Sequence, residues 1–167
     1  MQKKNAILVV EDEYINRRML VNILQSQYDV LEAENGKEAL EVLRKNAQNI
    51  AVVVLDLIMP EMNGYEFLEK YGNIQEYRNI PVIVATADSN DENEKKCLTL
   101  GVWDFVMKPY NPQIISFRIA NAIERGRIQE AERDSLTGVF SKEKFYQVTR
   151  KCYQSIRMRN LYLYVWI

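Results

Sequence analysis

Short apolar runs alternate along this chain with longer stretches in which apolar residues recur every three or four positions. Ala6-Ile7-Leu8-Val9-Val10 predicts a first strand, and Ile15, Met19, Leu20, Ile23 and Leu24 then predict one apolar stripe of an amphipathic helix. Tyr28 to Glu32 is a short second strand. After the turn at Asn35-Gly36, Ala39, Leu40 and Leu43 share a helical face. Ile50 to Leu55 predicts the third strand, followed behind Pro60 by a short helix over Asn63 to Tyr71. Ile80 to Ala85 is the fourth strand, and Asp91 to Leu100 a charged helix stopped at Gly101. Val102 to Val106 is the fifth strand, and a long last helix runs from Asn111 to about Arg133.

Strands that are apolar on both faces, with helices between them, predict an α/β fold. The expected architecture is a doubly wound, five-stranded parallel sheet of flavodoxin-like order 2-1-3-4-5, with helices on both faces. From about residue 123 the texture turns highly charged, and Asp134-Ser135-Leu136-Thr137-Gly138 breaks the helix. Lys142 to Arg157 is helical again in pattern, and Leu161 to Ile167 reads as a strand. One helix and one strand do not complete a sheet, so a C-terminal helical extension and a partial second domain are expected. The division is 1–125 for the α/β domain, 126–133 for a linker helix and 134–167 for the fragment. The linker reads equally as a solvated helix end or as a signalling stalk, since sustained heptads are missing.

In such a sheet, ligands bind outside the carboxyl ends of the strands. The chain places a carboxylate there twice. Val52-Val53-Val54-Leu55 ends on Asp56, and the first strand runs directly into Glu11-Asp12-Glu13. Carboxylates converging this closely repel one another unless a cation joins them, and Mg²⁺ suits an all-oxygen site of this kind. The bland alternative, acids that merely favour a helix N-terminus, explains Glu11 to Glu13 but not Asp56. Asp56 is then a candidate nucleophile that forms an acyl phosphate. Lys108, just past the fifth strand, and the Thr86 hydroxyl, at the end of the fourth, are placed to neutralise phosphoryl oxygens. The isomer of the Lys108-Pro109 bond stays open, because X-Pro bonds are cis in only about 5–6% of cases.

Composition narrows the chemistry further. The 167 residues contain no histidine, which excludes histidine triads, histidine metal sites and histidine general bases. Twenty-two basic residues face 23 acidic ones, so no global field draws nucleic acid or anionic lipid. No segment approaches the roughly 20 apolar residues that span a bilayer, and no signal-peptide core opens the chain. Cys97 and Cys152 lack metal-ligand spacing and read as reduced thiols, consistent with a cytoplasmic protein.

These residues resemble the receiver domain of bacterial response regulators over residues 5 to about 125. The resemblance rests on Glu11-Asp12, on Asp56 with Met59-Pro60 and Gly64, on Pro81 to Ala87, and on Phe105 with Lys108-Pro109. It implies that Asp56 accepts phosphate from a phosphohistidine on a partner histidine kinase or phosphotransfer protein. It also implies that Glu11, Asp12, Asp56 and the main-chain carbonyl of Ile58 hold Mg²⁺. Thr86 and Phe105 would be the switch pair, and Phe105 stands where a tyrosine is often found. An apolar Ile58 and Asp88 beside the phosphate lead us to expect slow to moderate self-dephosphorylation. A homodimer through the fourth helix, fifth strand and last helix is expected, with the charged positions Asp91, Glu92, Glu94, Lys95, Lys96, Arg118, Arg125 and Arg127 as candidate contacts, although solvated helix faces explain these charges equally well.

Arg133 to Phe140, with Phe145, is similar to the entrance of a GGDEF (diguanylate cyclase) domain, although Ser141-Lys142 stands where that family has Asn-Arg. The cyclase metal site and signature loop would lie beyond residue 167, so this chain is expected to be a switch rather than an enzyme, with cyclic-di-GMP signalling as its output. The alternatives are a phosphorylation-independent interaction module and a small Mg²⁺-dependent phosphatase; the latter lacks an evident second acid. A flavin-binding module is disfavoured because Glu11-Asp12-Glu13 would repel the flavin phosphate. A DNA-binding output is disfavoured because no basic recognition helix follows residue 133.

Overall fold

The structure, a computed structural model, describes residues 5–87 and 91–131. By its internal packing the chain divides into two compact units, Met1–Gly126 and Arg127–Ile167. The predicted strand at Leu161 to Ile167 and the helix at Lys142 to Arg157 lie outside the described residues.

Among the described residues five strands and five helices alternate: β1 (Ala6–Val10), α1 (Tyr14–Leu24), β2 (Asp29–Ala33), α2 (Gly36–Asn46), β3 (Ile50–Asp56), α3 (Gly64–Gly72), β4 (Val82–Thr86), α4 (Asp91–Thr99), β5 (Asp104–Met107) and α5 (Pro112–Ala131). All strand pairs are parallel, and the order is β2-β1-β3-β4-β5, as the patterning predicts. Alternate strand residues feed two cores. Leu8, Val10, Val53, Leu55 and Val84 meet Leu43, Phe67, Leu68 and Cys97 on the α2–α3–α4 face. Ile7, Val9, Val52, Val54 and Ile83 meet Leu20, Leu24, Ile115 and Ile119 on the α1–α5 face. All seven residues of β3 are buried, as expected for the central strand of a sheet covered on both sides.

Element boundaries shift where a neighbouring turn claims a backbone group. Tyr28 closes α1, donating its N–H to Leu24 O at 3.1 Å, so β2 begins one residue later than expected. Ile80 donates its N–H back to Tyr77 O at 2.8 Å, closing the turn that follows a 3₁₀ helix at Gln75–Tyr77, and β4 starts only at Val82. At the end of α4, Gly101 adopts φ 84°. Its N–H reaches Leu98 O at 3.1 Å, and Val102 N–H reaches Cys97 O at 3.2 Å. This is a Schellman cap, and because it uses Val102, β5 starts only at Asp104.

The expected apolar stripe of α1 is corrected. Its buried face is Arg17, Leu20, Val21 and Leu24, whereas Ile15 and Met19 are exposed. Positions 17, 20, 21 and 24 fall on one side of a helix of 3.6 residues per turn, and Ile15 falls nearly opposite. The apolar residues outnumber what one face holds, and a charged residue occupies part of the inner one.

Candidate functional site: an acidic centre at the carboxyl edge of the sheet

β1 and β3 are neighbours and end together, Val10 pairing with Leu55. Glu11 follows β1 and donates its N–H to Ala33 O at 3.1 Å, which extends the pairing with β2 by one step. Asp56 is the last residue of β3. Carboxylate oxygens of Glu11, Asp12 and Asp56 lie within 4.8 Å of one another; Glu11 and Asp56 are buried and Asp12 is exposed. Three hard oxygen donors at this spacing fit a divalent cation such as Mg²⁺, with the exposed side left for water or substrate oxygens.

The loop carrying Glu11 and Asp12 is held from beneath by Arg17. Its Nη1 donates to the carbonyl oxygens of Glu11 at 2.8 Å and Asp12 at 3.1 Å. Nη2 reaches Glu34 Oε1 at 2.6 Å, and Nε lies 3.4 Å from Glu32 Oε2. One planar guanidinium with five N–H groups can satisfy all these acceptors at once. This explains why a charged residue occupies the inner face of α1.

Asp56 is oriented at both oxygens. Oδ1 accepts the Leu57 N–H at 2.7 Å, with the Ile58 N–H farther off at 3.4 Å. Oδ2 accepts Lys108 Nζ at 2.7 Å. The turn beyond Asp56 packs against Gly64, whose N–H donates to Leu57 O at 3.0 Å. A Cβ at Gly64 would sit 2.4 Å from Asp56 O and 2.7 Å from Leu57 Cα, so only glycine permits this approach. Asn63 and Glu66 then start α3 with a capping box, fixing the far end of the same loop.

Lys108 comes from 52 residues further along the chain. Its backbone N–H donates to Thr86 O at 2.8 Å, continuing the β4–β5 pairing, and the Lys108-Pro109 peptide is cis. Nζ bridges the two acids, 2.7 Å from both Asp56 Oδ2 and Glu11 Oε2. Burial opposes the ammonium charge, but hydrogen bonds to Asp56 and Glu11 outweigh it and raise the Lys108 pKa. Burial raises the Glu11 pKa; Asp56 adds to the rise and Lys108 offsets part of it.

Thr86 ends β4 half-buried, one residue beyond the position that pairs with Asp56. Val84 pairs with Phe105 and Thr86 with Met107, so Thr86 and Phe105 project from the same face of the sheet, two positions apart. Phe105 is half-buried against the α2–α3–α4 core. Ile58, two residues beyond Asp56, is 83% exposed. Asp88, read as a neighbour of the site, lies outside the described residues.

Two residues of the site were not foreseen. Arg17 would have been signalled by its place on the Leu20–Val21–Leu24 stripe. Tyr110 donates its hydroxyl to Glu11 Oε2 at 3.0 Å. Burial and the Glu11 charge raise its pKa, which keeps it a protonated donor. Its only sequence cue is that it directly follows Lys108-Pro109.

The site is thus a pair of buried acids bridged by a lysine at the carboxyl edge of a parallel five-stranded sheet of order β2-β1-β3-β4-β5. The model of the response regulator receiver domain family matches residues 7–120. This chain belongs to that family. It is 34% identical over 122 residues to a chemotaxis protein CheY homolog of Campylobacter jejuni, covering 72% of this chain and 93% of the relative. It is 32% identical over 118 residues to the two-component response regulator ORR3 of Oryza sativa, covering 70% and 88%. Among solved structures, chemotaxis protein CheY4 of Vibrio cholerae superposes with a TM-score of 0.67 at 27% identity, over 71% of this chain and 98% of that one. Domains of this family are phosphoacceptors of two-component systems that meet histidine kinases or phosphotransfer proteins and bind Mg²⁺ at an acidic pocket. Among the described residues no helix is long and apolar enough to cross a membrane.

Proposed function

We propose that Asp56 accepts a phosphoryl group from a phosphohistidine of a partner kinase or phosphotransfer protein. The observation that carries this reading is the Asp56–Lys108–Glu11 bridge, a nucleophile and a cation held together in a pocket of acids. Bound Mg²⁺, held by Glu11, Asp12, Asp56 and the Ile58 carbonyl, would neutralise these acids and the oxygens of the incoming phosphoryl group. Asp56 Oδ1 stays on the Leu57 N–H, which leaves Oδ2 to attack phosphorus. The new O–P bond forms as the donor's N–P bond breaks and its imidazole departs. Lys108, already at Oδ2, follows the charge onto a phosphoryl oxygen, and the Thr86 hydroxyl takes another.

Movement of Thr86 toward the phosphate opens space on the face it shares with Phe105, and inward rotation of Phe105 fills it. That changes the surface formed by α4, β5 and α5, which we assign as the homodimer contact. The proposed domain plan is a receiver over 1–125, a linker helix over 126–133 and a GGDEF-like output from 134. The Asp134-Ser135-Leu136-Thr137-Gly138 segment supports that output, and with it a role in cyclic-di-GMP signalling.

Incubation with Mg²⁺ and acetyl phosphate, followed by intact mass, tests the mechanism. We expect one phosphate adduct that requires Mg²⁺ and is lost in Asp56→Ala. An adduct that persists in Asp56→Ala refutes the assignment of the nucleophile.

A further inference from the structure

Glu11 is 1% exposed, and a carboxylate buried to that degree needs donors at both oxygens. Lys108 Nζ serves Oε1 at 3.0 Å and Oε2 at 2.7 Å, and Asn16 Nδ2 adds a long contact to Oε1 at 3.3 Å. Lys108 is also the partner of Asp56. Any anion formed on Asp56 competes for that ammonium and weakens its hold on Glu11. The Tyr110 hydroxyl, 3.0 Å from Glu11 Oε2, is under no such competition. It is neutral, and its ring is locked in the α1–α5 core with Val106, Ile115 and Ile119.

We propose that Tyr110 is a positioning residue of the acidic centre: it holds Glu11 Oε2 independently of Lys108 and keeps that carboxylate aligned with Asp12 and Asp56 for a divalent cation. The proposal rests on the Mg²⁺-dependent reading above. Lys108 and Tyr110 are two residues apart across the Lys108-Pro109 bond, so one short segment delivers both donors to the same carboxylate. The neutral donor stays when the charged one is drawn away. Groups that hydrogen-bond a metal-ligating side chain from behind typically contribute about 10–100-fold in metal affinity.

Tyr110→Phe keeps the ring and removes only the hydroxyl. Mg²⁺ affinity, measured calorimetrically without any phosphodonor, is expected to fall about tenfold. Ile115→Val, a packing change in the same core, is expected to leave it unchanged. In wild-type protein labelled at the tyrosine Cζ carbon, the Tyr110 resonance is expected to shift on Mg²⁺ addition, because the acceptor of its hydrogen bond becomes a ligand. That measurement stands even if Tyr110→Phe fails to fold. Equal or tighter Mg²⁺ binding by Tyr110→Phe overturns the proposal, as does equal weakening by Ile115→Val or a Tyr110 resonance unmoved by Mg²⁺. Wild-type protein that binds no Mg²⁺ overturns the metal reading and the proposal together, whereas wild-type binding with an indifferent Tyr110→Phe overturns the proposal alone.

Discussion

The middle of the sheet's carboxyl edge and its β5 end are built differently. β3, which delivers Asp56, is buried at all seven positions, and its neighbour β1 at all five. β5, which carries Phe105 and leads into Lys108, is an edge strand of four residues in which only Val106 is buried. Its charge pair follows the same contrast. The Arg17 side chain, beside β1, is 7% exposed, whereas the Arg118 side chain, paired with Asp104 of β5, is 40% exposed. The nucleophile and acids therefore stand on strands gripped from both faces and both edges. Phe105, read as one half of the switch, stands half-buried on that edge strand, where less packing opposes a rotation, whereas Thr86 ends the inner strand β4. Phosphoryl chemistry needs reacting groups held closely in place, and a conformational relay needs groups with somewhere to go.

The largest expected effect that sharpens this contrast is in core truncation. Leu55→Ala in β3 is expected to cost about 2–5 kcal/mol by the lost transfer energy and the cavity left behind. Met107→Ala in β5, 49% exposed, is expected to stay within about 0.5 kcal/mol. Urea unfolding of both variants measures the difference, and equal costs would break the comparison. Next comes the arginine pair. Arg17→Met leaves the buried carbonyl of Glu11 and the partly buried one of Asp12 without this donor, at about 1–3 kcal/mol, and is expected to slow phosphorylation by loosening the acidic loop. Arg118→Met removes a surface pair worth at most about 1 kcal/mol. Adduct formation with acetyl phosphate should separate the two variants even where their unfolding midpoints do not.

The smallest expected effect is in pH dependence. The folded-state pKa of Lys108 is raised above its ordinary 10.5. Its contribution to stability is fully present below about pH 10.5 and lost as pH rises through the higher folded value. Glu11 also has a raised folded pKa, so the folded state keeps a proton there that the unfolded chain has released, and stability falls as pH rises above 4.5 toward that value. Denaturation midpoints followed from pH 8 to about 11.5 should therefore decline more steeply in wild type than in Lys108→Met. An identical alkaline decline in both would mean that the bridge contributes nothing to folding.

Much of this was legible in the order of residue types. Runs such as Val52 to Leu55 carry no polar group on either face, so they could only be central parallel strands. Once the strand order followed, Glu11, Asp56, Thr86 and Lys108 had to arrive at one edge. Boundaries were less legible, because they depend on competition for single backbone groups: Val102 goes to the cap of α4 and Tyr28 to the end of α1. Arg17 was passed over because a charge within a helix ordinarily faces water. Here the acceptors that make its burial favourable come from the loop after β1 and from β2 and its following loop, places the helix's own sequence does not reveal.

The alternation of apolar runs with helical stripes, by itself, determined the fold class, the strand order and the edge at which the acids collect, because burial of a two-faced sheet leaves few other solutions. Only the tertiary structure decided how those acids are held. The ammonium shared between Glu11 and Asp56, the guanidinium beneath their loop and the tyrosine behind Glu11 join residues up to 99 positions apart. Such pairings follow from where strands end in space, which local propensity does not encode.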